Sequence, residues 1–249
     1  MSGPLSDLAA CVGFYTRLPV AVLGEPSEDF ARAQWAAPLA GAVVGAIGAA
    51  ALLVAVWAGL PPLVCALLAV AATMLVTGAL HEDGLADTAD GLGGGATRER
   101  KLEIMRDSRI GTYGVAALVL SILLRVAALA ALAPGVAIAA LIAAHMAGRA
   151  MIPHFLGSLP PARDDGLSAN VGAVGERTAA IALAIGAAAL LLLLGPMTAL
   201  VSATLIAAWF LGLKALAQRQ LGGHTGDICG ALEQGGEILV LLAVAAAFH

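Results

Sequence analysis

Charged residues are scarce in this 249-residue chain: Asp, Glu, Lys and Arg together make up 12% of it, against roughly 25% in a soluble globular domain. With 60% hydrophobic residues and a mean hydropathy of +0.93, disorder is excluded, because disorder needs low hydrophobicity and high net charge. A water-soluble enzyme is excluded on the same grounds, since no compact fold of this size hides so much apolar surface. Basic charge is scarcer still: 13 Lys and Arg against 17 Asp and Glu, with a pI near 5.7. That balance lacks the basic footprint of a nucleic-acid binder, so no nucleic-acid partner is expected. The three cysteines, Cys11, Cys65 and Cys229, are too few and too scattered for a disulfide framework or a CxxC metal pair, and they read as packing. No basic stretch opens the N-terminus, where Asp7 and Arg17 interrupt the apolar residues, so it does not read as a cleaved signal peptide.

Long apolar runs take the place of charge. A spanning helix needs about 20 mostly apolar residues, and the runs at 36–60, 63–80, 115–133, 136–155, 179–194, 198–213 and 238–248 are candidates. The last is short and reads as a partial crossing. Pro61-Pro62, Pro134-Gly135 and Gly195-Pro196 mark tight hairpins between successive spans, because proline and glycine punctuate helices. All Lys and Arg fall in the N-terminal segment, in three long loops (81–114, 156–178 and 214–237) or inside spans as Arg125 and Arg149. The hairpins carry none, so the positive-inside rule puts the N-terminus and the long loops in the cytoplasm. The expected fold is therefore an all-α, polytopic transmembrane helical bundle of six to seven spans, a single domain over 1–249 with its active site at the cytoplasmic face. Gly41-xxx-Gly45, with Gly48 beyond, offers a small-residue face for close helix packing. Residues 5–22 read as an interfacial helix.

The chemistry concentrates at the end of the second apolar run. If that helix continues, Asp83, Asp87 and Asp90 fall at i, i+4 and i+7 and share one face,. Three anions on one face repel, and an oxygen-only donor set suits a divalent cation such as Mg²⁺, Mn²⁺ or Ca²⁺. Glu82 is close enough to add a ligand, and His81 reads equally as a ligand or as an interfacial histidine. A basic segment follows. Arg98, Arg100 and Lys101 read as anchors at anionic headgroups. Arg106 and Arg109, on neighbouring helical positions, suit phosphate oxygens through the planar guanidinium fork.

A second glycine-rich polar loop, Gly222-Gly223-His224-Thr225-Gly226-Asp227, offers Asp227 to complete the metal site from the far side of the bundle. Arg125 lies in mid-span, where an arginine costs about 2.5–3.5 kcal/mol on insertion scales, so it must face the interior and pair with a carboxylate or phosphate. His145 and Arg149 share a face at i, i+4, a pattern that fits a helix-to-helix contact or a substrate contact. Arg163 reads as a substrate clamp.

Four motifs in order resemble the adenosylcobinamide-GDP ribazoletransferase (cobalamin synthase) family of bacteria over nearly the whole chain. They are Phe14-Tyr15-Thr16-Arg17-Leu18-Pro19, the stretch from Asp83 through Asp87 to Asp90-Gly91, the stretch from Ile104-Met105-Arg106-Asp107-Ser108-Arg109 to Gly114, and Gly222 to Asp227. The resemblance implies joining of adenosylcobinamide-GDP to α-ribazole or its 5′-phosphate, with release of GMP, a requirement for Mg²⁺ and a place in the bacterial inner membrane. For that chemistry Asp83, Asp87 and Asp90, with Glu82 and Asp227, are the expected metal ligands. Arg106, Arg109, Arg149 and Arg163 would contact substrate, and Asp90 or Asp227 would be the proton acceptor. A homo-oligomer is compatible with such a chain. A looser similarity links Asp87-Thr88-Ala89-Asp90-Gly91 to the CDP-alcohol phosphotransferases, but the rest of that motif does not follow. A lipid phosphotransferase and a cation transporter are the competing readings; acids at the membrane edge and the lack of a repeat weigh against the transporter.

Overall fold

The structure, a computed structural model, describes residues 3–20 and 24–248. Its elements are α1 (Pro4–Tyr15), α2 (Phe30–Ala33), which passes through a 3-10 turn (Gln34–Ala36) into α3 (Ala37–Trp57), then α4 (Pro62–Thr77), α5 (Leu80–Gly94) and α6 (Arg98–Ile104). They continue with α7 (Thr112–Ala130), α8 (Pro134–Ser158), α9 (Leu167–Asn170), α10 (Glu176–Leu194), α11 (Pro196–Leu221) and α12 (Gly226–Phe248). No strand occurs among the described residues, and one isolated bridge pairs Pro161 with His224.

Six of these helices are long and apolar enough to span a bilayer, and the bent pair α4–α5 makes a seventh if counted as one broken span. The expected hairpins sit at the α3–α4, α7–α8 and α10–α11 turns. In each, a proline lies in the first turn of the helix that follows, where its missing N–H would have no partner in any case. Leu63, Leu67, Leu75, Leu120, Leu123, Leu192 and Leu200 stand exposed along the outer faces, as a surface facing hydrocarbon requires.

Two departures from the sequence expectation matter for the site. The final span is longer than the apolar run at 238–248 predicts: α12 starts at Gly226 and takes in Glu233, Gln234 and Glu237, all buried. The region expected as a loop over 214–237 shrinks to the connector 222–225, with Lys214 and Arg219 on α11. The second span also does not run on into the acidic helix. Gly78 and Ala79 both adopt left-handed backbone (φ 65° and 55°), and α5 leaves α4 at 89°. Gly78 is the residue for such a terminus; Ala79, which carries a Cβ, is strained there. The Arg17 N–H donates to the Val76 carbonyl at 2.7 Å and fastens the N-terminal segment to this break.

The N-terminal helix is shorter than the expected 5–22: α1 ends at Tyr15, and positions 21 and 22 lie outside the described residues. Buried Asp7 ties it down by accepting from Arg32 Nη2 (2.7 Å) and Trp35 Nε1 (3.0 Å). The small-residue face on α3 is borne out. A Cβ at Gly45 would lie 2.6 Å from Ile142 Cα and one at Gly41 2.9 Å from Met146 Cα, so α3 and α8 touch backbone to backbone,. With α12, α8 is the most buried of the spans, and the two carry the interior charges.

Candidate active site

Two glycines set the geometry. Where α5 crosses the start of α12, a Cβ at Gly84 would lie 2.9 Å from the Asp227 carbonyl, and one at Gly230 would lie 3.1 Å from Gly84 Cα. Only a glycine-on-glycine contact lets the two backbones meet, and it brings Asp227 against the acidic face of α5. Asp227 is helical, in the first turn of α12, rather than in a loop; an acid is favoured there by the amide dipoles. Thr225 Oγ1 accepts from the Ile228 N–H at 3.2 Å and starts that helix.

Along α5, Asp83 is exposed, Asp87 half-buried and Asp90 buried, and the shared face expected from their spacing is present. Asp83, Asp227 and Asp90 all repel the Asp87 carboxylate, while Arg163 offsets them. Arg163 reaches this rim because a strap holds its loop: the His224 N–H donates to the Pro160 carbonyl (2.9 Å) and the Ala162 N–H to the His224 carbonyl (2.8 Å). From there Arg163 Nη2 donates to Asp227 Oδ2 at 3.3 Å. Burial in the strap lowers the His224 pKa, which keeps that ring neutral.

Asp90 has a different task. Its Oδ2 accepts from the Gly111 N–H at 2.7 Å and its Oδ1 from the Gly114 N–H at 2.9 Å. The carboxylate therefore caps α7 and locks α5 to it, satisfying donors that a helix start leaves open. A Cβ at Gly111 would sit 2.5 Å from Asp90 Oδ1, which accounts for the glycines in that segment.

The arginines also sort themselves. The chain leaves helix after Ile104, so Arg106 and Arg109 are not helical neighbours as their spacing suggested. Arg106 is exposed and donates to Asp165 at 2.8 Å. Arg109 is held by Asp107, whose carboxyl it pulls down to about pKa 2. Arg98 is no headgroup anchor: it donates to the Leu221 and Ala162 carbonyls, both at 2.7 Å, and so fixes the end of α11 and the Arg163 loop. Lys101 is buried, and Arg100 pairs with Glu103 at 2.7 Å.

Glu82 and Arg149 are corrections. Both belong to an ionic network inside the bundle. Arg125, fully buried, donates to Glu82 (3.0 Å) and Glu237 (3.3 Å), and so finds the carboxylate partner its position demanded. Arg149 pairs with Glu233 and lies 3.1 Å from His145 Nδ1 and 3.3 Å from His81 Nδ1. Glu82 Oε1 is thus taken by Arg125, and Arg149 faces protein on every side. Glu233 and Glu237 are the residues that sequence reasoning missed. Their signal was present: two intramembrane arginines need carboxylates, and these two acids lie at i, i+4 immediately before the last apolar run.

Among the described residues, His145, Glu233 and Glu237 are the group whose ligand atoms lie within 4.8 Å of one another, and the rim carboxylates are not drawn so close. The interior trio is nonetheless a poor dication site, because two guanidinium groups already occupy its carboxylates and would repel a second cation. The rim is the better fit. Asp83 and Asp87 supply hard oxygen donors one turn apart, Asp227 faces them, and Arg163 offsets part of their negative charge,.

Two cavities flank α5. One is lined by Phe14, Phe30, Gln34, His81, Arg163 and Asp227; the other by Glu82, Asp87, Met105 and Arg106. Asp83 lines both.

A family model described as cobalamin-5-phosphate synthase matches residues 7–245. A protein of Bradyrhizobium diazoefficiens named adenosylcobinamide-GDP ribazoletransferase is 58% identical over 98% of this chain and 95% of its own length. Proteins of the same name from Mesorhizobium japonicum (98% of this chain, 94% of the relative) and Azorhizobium caulinodans (96% and 95%) are each 50% identical. No solved structure matches. With its helical membrane bundle and acidic rim, the chain belongs to the cobalamin-5-phosphate synthase family and is a transferase.

Proposed function

We propose that this chain transfers the cobinamide-phosphate moiety of adenosylcobinamide-GDP to a ribose hydroxyl of α-ribazole or its 5′-phosphate, with release of GMP. The whole chain acts as one membrane domain, at the cytoplasmic face of the bacterial inner membrane, where the arginine-bearing loops gather. The observation that carries the reading is the glycine-on-glycine crossing of α5 and α12, which sets Asp227 and Arg163 beside Asp83 and Asp87.

Asp83 and Asp87 would hold Mg²⁺, with Asp227 facing them from α12. Bound there, the ion supplies charge neutralisation for the diphosphate and for the departing GMP. The protein's own residues do the rest. Arg106 holds non-bridging oxygens of the diphosphate and Arg163 holds the acceptor riboside, which aligns the phosphorus nearer cobinamide with the acceptor hydroxyl, and such positioning is most of the catalysis in phosphoryl transfer. Asp227 takes the hydroxyl proton as the new P–O bond forms and the bond to GMP breaks. Asp90, named beside it from sequence, has both oxygens engaged by backbone N–H groups, which commits it to anchoring α7 and leaves neither oxygen to meet the hydroxyl.

The test is GMP release by the purified protein in lipid, from adenosylcobinamide-GDP and α-ribazole, with and without Mg²⁺. Activity that vanishes with chelator and in Asp83→Asn and Asp87→Asn supports the reading. CMP release from a CDP-alcohol donor, with no GMP formed, overturns it in favour of a lipid phosphotransferase.

A further inference from the structure

The cavity on the α1 side of α5 is furnished with unused hydrogen-bond donors. It encloses about 250 Å³, near the lower bound of small-molecule sites at about 300 Å³. Its wall is aromatic: Phe14 and Phe30 lie 4.7 Å apart, centroid to centroid, at 43°. At its base Gln34 is fully buried; its Oε1 accepts from Tyr15 Oη at 2.8 Å, while its Nε2 has no partner. His81 Nδ1 lies 3.3 Å from Arg149 Nη2 and 3.5 Å from Glu233 Oε2, while its Nε2 has no partner. Arg163 Nη1 is a second donor without a partner. Leaving a buried donor unsatisfied costs about 1–3 kcal/mol, so the Gln34 and Arg163 donors around one cavity point to a ligand that accepts.

We propose that this cavity is the acceptor subsite and takes the heteroaromatic base of the riboside. The proposal rests on the transferase reading above and deepens it. The two nucleosides in that reaction differ in hydrogen-bond character. Guanine carries N–H donors on its ring and its exocyclic amine, and the strong acceptors this cavity offers, the Asp83 and Asp227 carboxylates, belong to the reaction centre, while the amide at the cavity base presents a donor. A benzimidazole-type base is flat, largely apolar and bears one free ring nitrogen, an acceptor. It stacks on Phe14 and Phe30 and receives the Gln34 Nε2–H. Its sugar then lies toward Asp83 and Asp227, with any 5′-phosphate within the compass of Arg163. The diphosphate of the donor is left to the opposite cavity, beside Asp87 and Arg106, and the two substrates meet at Asp83, which lines both.

The experiment uses the full chain in lipid nanodiscs. Binding of a benzimidazole riboside, and separately of GMP, is measured by calorimetry without donor, and steady-state KM values are measured for both substrates. Gln34→Met and Phe30→Ala should each weaken riboside binding by about five- to tenfold, the loss of one neutral hydrogen bond or one stacking partner, with the donor KM unchanged. A riboside of indole, which lacks the free ring nitrogen, should bind the wild-type protein about five- to tenfold more weakly than the benzimidazole riboside, whether or not Gln34→Met folds. Competition of GMP for the riboside site, or equal affinity for the indole and benzimidazole ribosides, overturns the assignment. A wild-type protein that binds riboside yet releases no GMP refutes the transferase reading and leaves the subsite standing.

Discussion

Asp90→Asn separates an anchor from a metal ligand. In the structure each carboxylate oxygen accepts one backbone N–H, from Gly111 at 2.7 Å and Gly114 at 2.9 Å. Asparagine keeps one acceptor and turns an N–H₂ group toward the other donor. The lost charge-assisted bond is worth about 1.5–3 kcal/mol, and removing the anion from the start of α7 costs roughly 0.3–1 kcal/mol more. The total, about 2–4 kcal/mol, corresponds to a fall in Tm on the order of 4–16 °C for a chain of this length. The assay is thermal unfolding of detergent-solubilised protein by tryptophan fluorescence, run beside a Mg²⁺ titration of GMP release. Gly111→Ala should reproduce the loss of stability, because its methyl would strike the same carboxylate. If Tm holds within about 1 °C while the Mg²⁺ needed for half-activity rises tenfold, Asp90 is a ligand and the anchoring argument is wrong.

Three further outcomes are expected. Arg125→Met strands Glu82 and Glu237 in the interior and should cost about 3–5 kcal/mol of stability; adding Glu82→Gln and Glu237→Gln should restore most of it, and a neutral single variant would show that the network is not ionised as drawn. Gly230→Leu forces a side chain where Gly84 Cα lies 3.1 Å away, so membrane insertion should persist while GMP release disappears; wild-type turnover in this variant would remove the crossing from the site. Burial, aided by Asp7, pushes the Cys11 thiol up to about 12, so its thiolate fraction at pH 8 is on the order of 10⁻⁴, against about a quarter for an ordinary thiol. Native protein should resist maleimide at Cys11 by mass spectrometry and react after denaturation.

Much of the bundle was legible because bilayer hydrocarbon imposes long apolar runs and because proline and glycine mark hairpins. The acidic face of α5 was legible from its spacing alone. The right-angle turn at Gly78–Ala79 was not: a single glycine in an apolar stretch is ordinary in membrane helices, and nothing local forces Ala79 into left-handed backbone. Arg106 and Arg109 misled because i, i+3 spacing implies a shared helix face only if the helix persists, and here Asp107 captures Arg109 instead. Glu82 and Arg149 were assigned by proximity to the acids and the loop, whereas interior charge balance decided their partners. That balance was arithmetic available in the sequence, since Arg125 and Arg149 had to be answered by acids, and Glu233 and Glu237 were there to answer them.

The brevity of α4 has a consequence for the lipid around it. Its 16 residues rise only about 24 Å, short of a hydrocarbon layer about 30 Å thick. Such a mismatch is met by drawing the leaflet inward or by tilting neighbours. Where the leaflet is drawn inward at α4, the acidic rim of α5 meets water closer to the middle of the bilayer than its place after a full-length span would allow.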